Sequence, residues 1–162
     1  MSALYVLCGI PGSGKSTWAR KIVNEYGNDK VAWVSRDKIR FDLVKPEEEY
    51  FSRETEVMDK FVAEIQNAIE DHIPFILADA THLTRKSRMQ LLNRLSLNGS
   101  TIQYVYFDVP LGTAKERNAR RSGRERVPDS VIERMYWSFS KPAANVMVID
   151  ENGKEVIKEE AT

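Results

Sequence analysis

A glycine-rich segment near the start of the chain, residues 9–16, is the sequence feature that most constrains the fold. It has the sequence Gly-Ile-Pro-Gly-Ser-Gly-Lys-Ser and matches the pattern G-x-x-x-x-G-K-[ST]. The apolar run at residues 4–8 precedes it, and a helix-compatible segment at residues 17–26 follows it. In that setting, glycines let backbone N–H groups turn toward an anion, and the helix presents the positive end of its dipole. The pattern therefore predicts a strand, a phosphate-binding loop and a helix, in that order.

Two side chains of this loop carry its chemistry. Lys15 brings a compact positive charge to the outer phosphates of a nucleotide, and the Ser16 hydroxyl is a suitable ligand for Mg²⁺. The predicted nucleotide contacts in the loop are Gly9, Pro11, Gly12, Ser13, Gly14, Lys15, Ser16 and Thr17. Such a loop occurs in kinases, GTPases, motors and switch ATPases alike. The guanine-reading motif Asn-Lys-x-Asp is absent, so the sequence does not indicate a GTPase.

Strand-like and helix-like segments alternate along the whole chain. Short β-rich runs are typical of strands, and four-residue spacing of apolar side chains is typical of a helix with one buried face. The predicted strands are 4–8, 31–34, 74–79, 101–109 and 146–149. The predicted helices are 17–26, a short one after Asp37, 52–71, 84–97, 111–121 and one that begins at Pro128. The alternation predicts one α/β domain over residues 1–162, with a five-stranded parallel sheet and helices on both faces.

The bulk composition excludes some classes of protein. The chain has 24 basic and 24 acidic residues, so it lacks the positive field of a protein that coats long duplexes, and any nucleic-acid contact must be local. The chain has no run of eighteen apolar residues, as a transmembrane helix would require. Its N-terminus also lacks the basic segment followed by an apolar stretch that marks a secretory signal peptide. We therefore expect no membrane contact and a cytoplasmic location, in a host cell if the chain is phage-encoded. The single cysteine, Cys8, is expected to be a buried strand thiol.

Asp37 and Arg40 follow the second predicted strand and are three residues apart. On a helix they share a face, where a carboxylate can accept the proton of an attacking hydroxyl and a guanidinium can hold a phosphate. The spacing therefore predicts an acceptor site. The alternative is that Asp37 only caps the helix and that Arg40 is solvated.

Five arginines cluster late in the chain. They are Arg117, Arg120, Arg121, Arg124 and Arg126, with no lysine among them. Positions 117 and 121 are one helical turn apart, so both can face a nucleotide as part of a lid that neutralises phosphoryl charge. The alternative is a solvated basic face.

Other candidate residues remain open at this point. Asp79 ends the third predicted strand, where it can support Mg²⁺ or cap a helix, and His82 has no assigned role. The three tryptophans, Trp18, Trp33 and Trp137, are interpreted as packing residues rather than stacking platforms.

Several motifs together resemble one known family. They are Gly-Ile-Pro-Gly-Ser-Gly-Lys-Ser-Thr-Trp-Ala-Arg at 9–20, Ser-Arg-Asp-x-x-Arg at 35–40, Glu-Arg-Asn-Ala-Arg-Arg-Ser-Gly at 116–123, Val-Pro at 127–128 and Arg-Met-Tyr at 134–136. Nearly the whole chain resembles the kinase domain of the phage-type polynucleotide 5'-hydroxyl kinases, which are P-loop kinases with an arginine-bearing lid. The D-x-D-x-T motif of an attached phosphatase domain is absent, so no 3'-phosphatase activity is implied.

The resemblance implies a role for each matching residue. Asp37 matches the general base on the 5'-hydroxyl, and Arg40 matches the arginine on the acceptor's phosphate. Lys15 and Ser16 match donor-phosphate residues, Arg121 matches the lid arginine with support from Arg117, and Val127 matches an apolar residue near the terminal base. The lid is about one residue longer than the family pattern, so Arg120 is the alternative to Arg121.

The expected reaction is transfer of the γ-phosphoryl group of ATP, with Mg²⁺, to the 5'-hydroxyl end of DNA or RNA. One alternative is a P-loop kinase with a small-molecule acceptor, including zeta-toxin-like enzymes. Another is an ATP-dependent binding or switch module that has no phosphoryl acceptor. The sequence alone leaves these alternatives open.

Overall fold

The computed structural model describes residues 1–123 and 126–156. Within that part of the chain, strands and helices alternate as the sequence predicted. The strands are β1 (Ala3–Cys8), β2 (Val31–Ser35), β3 (Phe75–Asp79), β4 (Thr101–Phe107) and β5 (Val146–Ile149). The helices are α1 (Lys15–Tyr26), α2 (Arg36–Leu43), α3 (Glu54–Glu70), α4 (Arg85–Leu92), α5 (Leu111–Ala119) and α6 (Asp129–Ser138).

The five strands form one parallel sheet in the order β2-β3-β1-β4-β5. Leu7 of β1 and Ser35 of β2 both lie in register with Asp79 of β3. The carboxyl ends of these three strands therefore meet at one edge of the sheet. The glycine-rich loop, the start of α2 and the end of β3 lie together there, as expected for a parallel α/β sheet. The predicted α/β fold with a five-stranded parallel sheet is confirmed.

Helix α3 covers one face of the sheet. Val57, Phe61, Ile65 and Ile69 recur every four residues and are almost completely buried. They pack in one cluster with alternate residues of β1 and β3, including Leu4. Because each buried aliphatic or aromatic side chain contributes about 1.5–3 kcal/mol, this helix is a major part of the core.

Helix α1 covers the opposite face. Trp18 packs edge-on against Phe107 at 5.9 Å between ring centroids, in a second cluster that includes Leu7 and Leu77. A third cluster, built on Ile10, Ala114 and Ile132, fastens α5 and α6 against the glycine-rich loop. Helices therefore lie on both faces, and the loop itself is part of the packed structure.

Several predicted boundaries were wrong by a few residues. The helix predicted over 84–97 ends at Leu92, because the Gln66 side chain of α3 hydrogen-bonds both the N–H and the carbonyl of Ser96 and holds that segment off the helix. The strand predicted over 101–109 ends at Phe107, and the helix predicted over 111–121 ends at Ala119. Pro128 precedes α6 as its N-cap instead of opening it.

The three tryptophans differ in environment. Trp18 is buried in the core, as expected, and Trp33 is half-buried. Trp137 is 78% exposed, so the interpretation of this residue as a packing residue was wrong. Among the described residues, its ring contacts that of Tyr136 edge-on. Trp137 itself is not part of the third cluster, to which Met135 and Tyr136 of α6 contribute. Among the described residues, no helix has the length and apolar character that a bilayer span requires.

Candidate functional site

The glycine-rich loop is shaped by close contacts that leave no room for a side chain. A Cβ at Gly9 would lie 2.4 Å from Oγ of Ser13. Gly12 has a φ of 81°, and a Cβ there would lie 2.5 Å from the backbone carbonyl oxygen of Ala114 in α5. Since L side chains rarely adopt this backbone conformation, both the turn and the approach of α5 require glycine.

The loop encloses polar groups suited to an anion. The Lys15 ammonium donates to the carbonyl oxygens of Gly9 and Ile10, at 2.7 and 3.0 Å. Burial lowers the pKa of Lys15, while the charges of Asp79 and Asp37 oppose that shift. In the described residues, Oγ of Ser13 is buried without a hydrogen-bond partner. A phosphate in the loop would accept hydrogen bonds from both Lys15 and Ser13. The Ser13 hydroxyl, whose burial without a partner costs free energy, would then be satisfied.

Asp79 lies at the carboxyl end of β3, next to the loop. Its carboxylate is buried and accepts a hydrogen bond from Nε1 of Trp33 at 2.9 Å. Burial raises the pKa of Asp79, and the nearby charge of Lys15 partly offsets it. The sequence did not identify Trp33 as a partner of this carboxylate, because the two residues are brought together only by the pairing of β2 and β3.

Asp37 and Arg40 contact each other on α2, as their spacing predicted. Nη1 of Arg40 donates to Oδ1 of Asp37 at 2.6 Å. The Asp37 side chain remains 80% exposed, whereas that of Arg40 is buried. Ser35 caps this helix by accepting from the N–H of Lys38, so Asp37 is left free of the capping role considered above. The buried Arg40 therefore holds the Asp37 carboxylate in place while that carboxylate faces solvent.

Glu54 holds Arg40 in place from the start of α3. Its two carboxylate oxygens accept from Nε and Nη2 of Arg40 at 2.6 and 2.8 Å. The hydrogen bond from Arg40 lowers the pKa of Glu54. The rings of Tyr50 and Phe51 lie 5.7 and 5.1 Å from Cζ of the same guanidinium. Sequence reasoning missed Glu54, since an acidic residue in a first helical turn does not by itself reveal a partner fourteen positions away.

The arginines in and after α5 lie in different environments. Arg117 donates to the carbonyl oxygens of Gly12 and Glu151, so it joins the glycine-rich loop to the turn after β5. Arg120 pairs with Glu116 on the exposed side of the helix. Arg121 lines the cleft beside the loop. Arg126 is exposed, and Arg124 lies outside the described residues.

A cleft of about 540 Å³ brings most of the predicted residues together. Its chemically distinctive lining consists of Ser13, Lys15, Ser16, Thr17, Asp37, Asp79, Arg117, Arg120 and Arg121, with residues 150–153 beyond them. Positive groups from the loop and from α5 therefore face a carboxylate from α2 across one space. This arrangement can hold the phosphates of a nucleotide beside a hydroxyl that loses its proton.

Val127 and Arg40 do not line this cleft. The Val127 side chain packs against the third cluster, and its backbone N–H donates to the Asn118 side chain at 3.0 Å. Asn118 is fully buried and was not singled out from the sequence. Asn118 thus holds the segment between α5 and α6 against α5.

Two buried titratable groups lie just below the site. Burial raises the pKa of the Cys8 thiol to about 12, which agrees with the expected inert strand cysteine. Nδ1 of His82 lies 2.6 Å from the carbonyl oxygen of Leu7, and burial lowers the pKa of His82 to about 4. A neutral His82 is a structural link between β1 and the loop after β3.

The chain is similar to several solved structures. A sugar kinase from Janibacter sp. HTCC2649 shares 16% identity at a TM-score of 0.65, over 94% of this chain and 87% of that one. The Pnkp1/Rnl/Hen1 RNA repair complex contains a chain with 25% identity and a TM-score of 0.67, over 85% of this chain and 43% of that one. Kti12 from Chaetomium thermophilum in complex with ADP-AlF3 shares 17% identity at a TM-score of 0.67, over 91% and 88%.

These likenesses establish a kinase-like P-loop fold without distinguishing between acceptors. The model of a family described as "AAA domain", AAA_33, matches residues 4–142. That range includes the glycine-rich loop, Asp37, Asp79, Arg117 and Arg121. Since the match extends over most of the chain, the protein belongs to the AAA_33 family of AAA domains.

Proposed function

We propose that this protein transfers the γ-phosphoryl group of ATP to the 5'-hydroxyl end of DNA or RNA. The observation that carries the proposal is the position of Asp37, an exposed carboxylate in the same cleft as Lys15 and the glycine-rich loop. An acceptor hydroxyl between them would meet a proton acceptor on one side and the donor phosphates on the other. In-line phosphoryl transfer depends mainly on such positioning and on charge stabilisation.

On the acceptor side, Asp37 orients the hydroxyl and takes its proton. Arg40 fixes the Asp37 carboxylate: Nη1 donates one N–H to Asp37, and Nη2 donates one N–H to Glu54. Each η nitrogen carries a second N–H, and we assign these to the phosphate that follows the terminal nucleoside. Val127 is proposed to contact the terminal base through the edge that its packing leaves open.

On the donor side, the loop N–H groups and Lys15 bind the phosphates, and Arg121 neutralises charge on the transferring group. Arg117 supports both by joining the loop to residues 150–153. The residues present suit Mg²⁺, since the Ser16 hydroxyl and the buried Asp79 carboxylate both line the cleft and would offer it oxygen ligands. When bound, Mg²⁺ would neutralise phosphate charge. All of these residues lie within residues 1–162, which we treat as one catalytic domain.

The exposure of Asp37 favours a polymeric acceptor over a small one. A kinase for a small metabolite must enclose its acceptor to recognise it, and binding sites for small molecules bury most of the ligand. Asp37 instead opens to solvent, which leaves room for a strand to continue away from its terminal nucleoside. The similarity to a chain of an RNA repair complex, at 25% identity, supports the same choice.

A small-molecule kinase is the second candidate. The similarity to a sugar kinase over 94% of the chain favours it at the level of the fold. An ATP-dependent switch without an acceptor predicts that replacement of Asp37 leaves ATP turnover intact, because Asp37 then has no acceptor hydroxyl to orient.

A transfer assay with a panel of acceptors tests the proposal. Purified protein is supplied with γ-labelled ATP and Mg²⁺, and with 5'-hydroxyl DNA, 5'-hydroxyl RNA, the same strands already 5'-phosphorylated, and sugars including gluconate. We expect label on both 5'-hydroxyl strands and none on the 5'-phosphorylated ones. Label only on a sugar, with none on any strand, would replace the proposal with the small-molecule alternative.

A further inference from the structure

Two exposed phenylalanines belong to the segments that hold the acceptor residues. Phe41 is one helical turn after Asp37 on α2 and is 50% exposed. Phe51 lies in the segment before α3 and is 59% exposed. Single exposed apolar side chains are common and need no explanation. Here, however, Phe51 contacts Arg40 of the acceptor pair, and Phe41 lies four residues after Asp37 on the same helix, so Phe41 and Asp37 share a face. The proposed mechanism gives neither ring a role.

Phe51 is tied to the acceptor site by a short series of contacts. Its ring centroid lies 5.1 Å from Cζ of Arg40, whose Nη1 is 2.6 Å from Asp37. The ring also packs edge-on against Tyr50, with 5.2 Å between centroids. The guanidinium and Tyr50 therefore hold Phe51 on its inner side, while more than half of the side chain faces water. A ring held in this way loses little conformational entropy when a flat ligand stacks on it.

Charge near these rings does not favour binding through phosphates. Residues 36–56 carry seven acidic and five basic side chains. One of those basic groups, Arg40, already donates to Asp37 and Glu54. A strand that passes over this region consequently gains little from phosphate neutralisation. Beyond the one phosphate assigned to Arg40, affinity for such a strand must therefore come from contacts that do not depend on charge.

We propose that Phe41 and Phe51, the aromatic platform, form a stacking subsite for nucleobases of the acceptor strand. The proposal rests on the polynucleotide kinase function proposed above. Aromatic rings stack on every base, so the platform binds DNA and RNA ends with little sequence preference. Because stacking releases few counterions, acceptor affinity should depend only weakly on salt.

The first test compares variants of the platform in the transfer assay. Phe51→Ala and Phe41→Ala should each raise KM for a 5'-hydroxyl oligonucleotide by about ten-fold, since one lost base–ring stack has an effect of that order. KM for ATP should stay unchanged. Phe51→Tyr keeps the ring and should give the wild-type KM. Met89→Ala removes another exposed apolar side chain, 37% exposed on α4, and serves as a control.

The second test locates the stacked base. Oligonucleotides with an abasic residue at the first, second or third position are compared with the intact strand. For wild-type protein, the abasic residue should raise KM about ten-fold at one of these positions. On that strand, Phe51→Ala should raise KM no further, because the base and the ring form one interaction.

Each outcome decides between the two proposals. Transfer to oligonucleotides with unchanged KM in both alanine variants would overturn the platform and leave the kinase function in place. If Phe51→Ala raises KM above the wild-type value on the abasic strand by as much as it does on the intact strand, the ring acts independently of the base, and the platform would be overturned. No transfer from wild-type protein to any oligonucleotide would overturn the proposed function and the platform with it.

Discussion

At the scale of single residues, the candidate site depends on two successive ion pairs, here called the relay, that end at an exposed carboxylate. Glu54 binds Arg40, and Arg40 binds Asp37. Arg40 is buried, Glu54 is half-buried, and Asp37 is open to solvent. A carboxylate can therefore be held in one orientation without losing access to a substrate, which is what a general base requires.

Replacement of Glu54 tests this relay. Glu54→Ala leaves the buried Arg40 without its main partner, so we expect the free energy of unfolding to fall by about 1–3 kcal/mol. We also expect a lower kcat for transfer, because Asp37 loses its fixed support. Urea unfolding and steady-state kinetics measure the two effects.

Glu56→Ala is the matched control, since Glu56 is an exposed acidic residue of the same helix and pairs only at the surface with Arg53. Its stability and kcat should stay near those of wild type. Equal effects of the two substitutions would contradict the relay.

The sequence was informative about part of this site and silent on the rest. Asp37 and Arg40 could be paired from their spacing, because one helical turn determines which side chains meet. Glu54 and Trp33 could not be found in that way, since their partners lie on other elements and only the packed sheet brings them together. Local spacing predicts contacts within an element but not contacts between elements.

At the scale of secondary-structure elements, helix α3 links the core to the site. Its apolar face packs on the sheet, and its first residue, Glu54, reaches the acceptor side. The four-residue spacing predicted that face correctly because it reflects the geometry of one helix. The predicted end of the next helix was wrong because Gln66 of α3 satisfies the backbone of Ser96 from outside the local sequence.

Truncation of the buried face of α3 should be costly. Phe61→Ala removes a ring that is 1% exposed, and we expect the free energy of unfolding to fall by about 3–5 kcal/mol. Lys60→Ala, at the exposed neighbouring position, should change it by less than about 0.5 kcal/mol. Urea unfolding of both variants measures the difference, and a loss below about 1 kcal/mol for Phe61→Ala would show that α3 is not central to the core.

At the scale of the whole molecule, the alternating strands and helices made the sheet predictable, and the register of β1, β2 and β3 placed the site at its edge. One buried group next to that edge makes the free energy of unfolding depend on pH. His82 is neutral when folded, with a pKa of about 4 against 6.5 for an unperturbed histidine. The unfolded chain therefore binds a proton that the folded protein does not bind between these values.

The contribution of His82 to the free energy of unfolding should accordingly be fully present above pH 6.5 and be lost as pH falls toward 4. Between pH 7 and pH 5, His82 should lower the free energy of unfolding by about 2 kcal/mol. Urea unfolding at the two pH values measures the loss. His82→Asn, which cannot take up a proton there, should remove about that much of the pH dependence, and an unchanged pH dependence would refute the assignment.

The most direct test of the central claim is the chemistry of Asp37 at the strand end. γ-labelled ATP is incubated with a 5'-hydroxyl oligonucleotide and wild-type protein, Asp37→Asn or Asp42→Asn, and the labelled nucleotide is identified after complete digestion. Asp42 is an exposed carboxylate of the same helix, paired with Lys38, and serves as the control. We predict label on the 5'-terminal nucleotide with wild type and Asp42→Asn, and a loss of transfer with Asp37→Asn while ATP binding persists. Undiminished transfer by Asp37→Asn would contradict the account.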